Sequence, residues 1–171
     1  HLKIIKIRSD SNRVFEHTEE QIIQAHFDYQ KQYDFLRIYQ RIECISTDIL
    51  NISNLVTVLN NIGGSMPNDL HSYVIDIIDL IISSHGMFKQ ALLKYEKEKS
   101  SVIKTIHKIV ECEKAINEQY FRSLQCLYSI ANQNNLKLGD CKAIEHIFIT
   151  LESLGNKVEQ AATSLEWLLI T

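Results

Sequence analysis

Residues 35–59 read FLRIYQRIECISTDILNISNLVTVL, and the apolar spacing in this stretch decides the fold. Phe35, Ile38, Ile42, Ile45, Ile49, Ile52, Val56 and Leu59 follow one another in steps of three and four without a miss. A helix turns once in about 3.6 residues, so this spacing lays one continuous apolar stripe along a helix face. Held for over three heptads, the stripe is the seam of a helix that packs on other helices.

Upstream, the same phase would place Asp28 and Lys31 in the seam, so the helix does not extend backward unbroken. Thr18 with Gln21 three residues later, followed by Ile22 and Ile23, has the form of a helix start. The reading is a short first helix over 18–30 that bends into a second one ending near Ile62. Residues 1–17 are expected to be an extended N-terminal arm. Leu2-Lys3-Ile4-Ile5-Lys6-Ile7-Arg8 mixes apolar and basic residues without an evident helical period, and Asp10 to Arg13 is polar.

Downstream, Gly63-Gly64-Ser65-Met66-Pro67-Asn68-Asp69 combines a glycine stop, a proline and an Asx helix start. A second seam follows: Leu70, Val74, Ile77, Ile81, Ser84, Phe88, Ala91 and Tyr95. Its phase fails at Glu98, so the chain is expected to reverse near Ser100. The competing reading is one rod from Asn68 to Asn134, about 100 Å at 1.5 Å per residue, as in an elongated coiled-coil or membrane-curving module inside the cell. A third stripe carries Val102, Ile106, Ile109, Ile116, Tyr120, Leu124 and Leu127, and dissolves in Asn132-Gln133-Asn134-Asn135. The last seam is Ile144, Ile147, Leu151, Leu154, Val158, Ala161, Leu165 and Leu168, with Asp140 as its expected cap. Glu145, Glu152, Glu159 and Glu166 keep seven-residue spacing beside it and read as a solvated stripe. Together these segments predict an all-α fold. It is an antiparallel up-down-up-down helical bundle of four main helices with a short extra N-terminal helix, in a single domain over 1–171.

Composition agrees. The 171 residues include one Pro and five Gly, too few breakers for a sheet protein. A net charge of -3 speaks against nucleic acid as a partner, because phosphate binding needs a basic face. The lysines at 89, 94, 97, 99, 104 and 108 are interleaved with Glu96 and Glu98, and read as a solvated surface. No run approaches the roughly 20 apolar residues of a membrane span. Even Tyr73 to Ile82 is interrupted by Asp76 and Asp79, so a membrane is an unfavoured partner.

The four cysteines are Cys44, Cys112, Cys126 and Cys141, with no Cys-x-x-Cys. Cys112 and Cys126 are fourteen residues apart on one expected helix, about 21 Å, too far for a disulfide. Bundle levels favour the pairs Cys44–Cys112 and Cys126–Cys141, the alternative being four reduced core thiols. Asn51-Ile52-Ser53 is a candidate glycosylation sequon. An even cysteine count, this sequon and a chain that opens on His1 rather than Met point to a secreted or extracellular protein, with a cytoplasmic one as the alternative.

Signatures of chemistry are missing from the sequence. None of the seven histidines has an acidic residue three positions before it, as a di-iron bundle requires. There is no Gly-rich phosphate loop, no Gly-x-Ser-x-Gly and no His-Glu-x-x-His. The expectation is a non-enzyme with no catalytic, cofactor or metal residues, and no cofactor. The aromatic cluster near the first bend supplies Tyr29, Tyr33 and Tyr39 as candidate partner-binding residues, since Tyr is favoured at interfaces. The leading expectation is therefore a protein that binds another protein, as an effector, cytokine-like ligand or antagonist. The alternative is a carrier of a lipid or other small apolar ligand, for which Ser84, Gly86 and Ala91 could leave room. That reading requires an apolar cavity of a few hundred Å3.

Overall fold

In the computed structural model, which describes residues 2–133 and 135–170, the chain forms five helices and the described residues hold no strand. They are α1 (Leu2–Gln24), α2 (Tyr29–Asn61), α3 (Asn68–Lys94), α4 (Lys99–Asn132) and α5 (Leu138–Ile170). His1, Asn134 and Thr171 lie outside the described residues, so the opening histidine and one asparagine of the Asn-rich turn are not placed.

Both ends of α2 have a chemical cause. The Asp28 carboxylate accepts the Lys31 backbone N–H at 2.9 Å and caps α2. At the other end Gly63 takes a φ of +70°; its N–H donates to the Asn60 carbonyl and that of Gly64 to the Leu59 carbonyl. That paired pattern closes a helix C-terminus and needs a left-handed residue, which Gly supplies without strain. Gly64 must also lack a Cβ, because one would overlap the Asp140 carboxylate and the Leu59 methyl.

The arrangement around α5 defines the core. α5 packs against α2, α3 and α4; α3 also packs on α4, and α1 packs on α2 alone. The α5 seam predicted from Ile144 to Leu168 is buried throughout, joined by Phe148, Ala162 and Leu169. Gly155 allows α4 to come close, since a Cβ there would lie 2.8 Å from Ile116 Cδ1. Contacts between α4 and α5 run from Lys99, whose ammonium donates to the Leu169 carbonyl, to Tyr128, whose hydroxyl donates to Glu145.

The turn between Lys94 and Lys99 removes the rod reading, because α3 folds back onto α4. The N-terminal expectations need correcting. Residues 2–17 are not an extended arm but the first four turns of α1, and the break falls at 25–28 rather than within a helix over 18–30. Thr18 is no cap; its hydroxyl donates to the Val14 carbonyl inside α1. The half-buried side of α1 is Ile4, Arg8, Ser11, Phe15, Thr18, Ile22 and Ala25, spaced in steps of four and three. Polar residues occupy three of those positions, which hid the helical period from a search for apolar ones.

Candidate functional site

The two helices joined by the 63–67 loop do not pack on each other. No Cα of α2 comes within 8 Å of one in α3, although both rest on α5. The result is an apolar groove of about 600 Å3. Its α2 wall is Ile49, Ile52 and Val56, with Ser53, Thr57 and Asn60 along the edge. The α3 wall is Ile78, Ile81 and Ile82; Leu151 and Leu154 of α5 form the floor, and Ile4 of α1 lines it as well. A narrower extension leads past Ile45 and His85, and a further hollow is bounded by Ile4, Ile7 and Arg8 of α1. From Ile45 to Asn60 the groove follows α2 for about 22 Å.

This geometry shows how the 35–59 stripe is used. Ile38, Ile45 and Leu59 are buried in the core, whereas Ile49 and Val56 face the open groove. On the α3 wall Ile81 is buried, whereas Ile82 keeps 63% of its surface accessible. α2 also carries an 18-residue window of mean hydropathy 1.3 of which 17% is buried, so by length and composition it could cross a membrane. That corrects the expectation that no segment has this character. A core helix passes the same test, and α2 has Ile38, Ile45 and Leu59 in the core with Ile49, Val56 and Val58 about half exposed.

α1 borders the groove through a small polar cluster. Arg8 donates to Ser46 Oγ at 3.2 Å and Thr47 Oγ1 at 3.0 Å, lies 3.6 Å from Glu43, and covers the Phe15 ring. Behind the groove, Asp48 is buried and accepts from Ser153 Oγ at 3.2 Å and from the Lys157 ammonium, tying α2 to α5. Periodicity could not have signalled this pair, because an acid inside a seam region reads as a phase break.

The residues singled out by sequence lie apart from the groove, with Asn51 alone on a groove-forming stretch of helix. Tyr29 and Tyr33 are exposed at the start of α2. Tyr39 is not part of a surface patch: it is buried, stacked edge-on against Phe15 at 5.6 Å. Burial, then the charges of Glu19, Glu43 and Glu16, raises its pKa. Asn51 is exposed on α2.

None of the four cysteines is bonded to another, which corrects both expected pairs. Cys44 is exposed on α2, and α2 makes no packing contact with α4, where Cys112 lies. Tyr128 faces Glu145, so Cys126 and Cys141 are offset by about six residues, some 9 Å along the axis. Burial raises the pKa of both Cys126 and Cys141, which keeps these thiols protonated and weakly nucleophilic. The glutamate stripe is not merely solvated. Glu145, Glu152, Glu159 and Glu166 accept from or pair with Tyr128, Asn156, Thr163 and His107 along the edge of α5.

Among the described residues no group of three or more His, Cys, Asp or Glu side chains is placed to hold a metal ion. No protein-family model, curated protein or solved structure matches the chain.

Proposed function

We propose that the protein is a binding module whose open groove between α2 and α3 takes up an amphipathic helix of another protein. The observation that carries this reading is the groove itself: three helices of a bundle present an apolar channel where a further helix would complete the packing. Long helices with apolar anchors at i, i+3, i+4 and i+7 are recognised by such channels.

The frame for this is an antiparallel up-down-up-down arrangement of α2 to α5. For α4 and α5 it is supported by the contacts Lys99 to Leu169, Ile116 to Gly155 and Tyr128 to Glu145, whose numbers fall on one helix as they rise on the other; for α2 to α3 and α3 to α4 it rests on the short turns that join them. The carrier alternative has the volume in its favour, since about 600 Å3 is on the scale of ligand pockets. Such pockets bury about 70–90% of a ligand, however, and this groove lies open along its length between exposed isoleucines. A partner helix brings its own polar back and leaves none of that side uncovered.

The test is fluorescence anisotropy with an 18-residue synthetic helix bearing leucines at the four anchor positions. Binding is expected to the native protein and to be lost by tenfold or more in Val56→Asp/Ile82→Asp. Leu93→Asp, at an exposed apolar residue outside the groove, should leave it unchanged. Equal affinity for the native and groove variants contradicts the reading.

A further inference from the structure

The groove lies in a stretch of unusual charge. Between Arg41 and Lys89 there is no Lys or Arg, while Glu43, Asp48, Asp69, Asp76 and Asp79 all fall there. Both groove walls belong to this stretch. Asp48 is neutralised internally by Lys157, and Glu43 lies near Arg8. Asp76 and Asp79 remain exposed on α3 and form no ion pair among the described residues; Asp79, three residues from Ile82, stands on the rim of the α3 wall, and Asp76 lies one turn away, further round the helix.

From this charge distribution we infer that the helix received by the groove is cationic, with lysines or arginines flanking its apolar stripe. The inference rests on the docking reading above and names the chemistry of the partner. α1 supplies an internal precedent: its first turns, Leu2 to Arg8, alternate apolar and basic residues, and Arg8 meets Glu43, Ser46 and Thr47 at the groove's end. A partner helix entering beyond Ile4 continues that pattern along α2 and sets its outer basic residues against Asp79, with the charge of Asp76 behind it. Complementary charge at a rim adds specificity and association rate, with modest gain per exposed pair. The same exposed aspartates beyond the groove's apolar walls disfavour an anionic membrane surface, which attracts basic segments.

Two synthetic 18-residue helices with identical leucine faces, one flanked by lysines and one by glutamates, separate the outcomes. The lysine helix is expected to bind about tenfold more tightly at low salt, the sum of two or three exposed pairs, and the gap is expected to narrow in high salt. Asp76→Lys/Asp79→Lys should reverse the preference. Equal affinities, or a preference for the glutamate helix, overturn the cationic partner while leaving groove docking intact. Binding of neither helix overturns both. Binding to phosphatidylglycerol vesicles more tightly than to the lysine helix also overturns it.

Discussion

Asp48 and Lys157 show at the residue scale how a polar pair fixes two helices. Both side chains are largely shielded, so removing one leaves the other charge without its partner inside the bundle. Asp48→Ala is expected to cost about 2–3 kcal/mol in urea denaturation, below the value for a fully buried pair. Asp48→Leu with Lys157→Met should recover most of it, and an additive double variant would contradict the pairing. At Gly155 the constraint is steric. Gly155→Leu drives a side chain into Ile116 and is expected to cost about 3 kcal/mol by the same measurement. On the edge of α4, the hydrogen bond to Glu145, followed by burial, pushes Tyr128 up to about 12. Because that value is above the unfolded one, this contact contributes stability in full below about pH 10 and loses it as the pH rises through about 12. Glu145 is shifted down, first by Lys142 and then by Tyr128, so its contribution is lost only as pH falls through that lowered value. Phenolate absorbance should show Glu145→Gln returning Tyr128 towards about 10; an unchanged titration would refute the contact.

At the scale of elements, α1 is the least embedded helix. It contacts α2 alone and contains no fully buried residue. Deleting residues 1–25 is therefore expected to leave α2–α5 folded, with a melting temperature lower by several degrees and Tyr39 newly exposed. A cooperative loss of helical circular dichroism at room temperature would show that α1 is integral. The same weak embedding explains what the sequence concealed. Seams rich in Ile and Leu marked α2 to α5 because burial demands apolar residues at a fixed period. α1 pairs by Arg8, Ser11 and Thr18 as much as by Phe15, so composition gave no periodic sign of it. The groove was illegible for another reason. Ile49, Val56 and Ile82 have the residue types of core positions, and only the separation of α2 from α3 shows that they keep between 43% and 63% of their surface open. The cysteine pairs failed because equal height in a bundle does not imply adjacency: Cys44 and Cys112 belong to helices that do not touch.

On the scale of the whole molecule, the bundle is built around α5 and is open on one side, where the cationic partner helix proposed above would complete it. The isoleucines are distributed so that the claim can be tested directly. Ile49, Ile52, Ile78 and Ile82 line the groove, whereas Ile103, Ile130 and Ile149 lie on α4 and α5 outside it. Methyl nuclear magnetic resonance of isoleucine-labelled protein, titrated with the lysine-flanked helix, reads both sets at once. The account predicts shifts concentrated at Ile49, Ile52, Ile78 and Ile82 with little change at Ile103, Ile130 and Ile149. Shifts confined to the latter three, or no shift at saturating peptide, would contradict it.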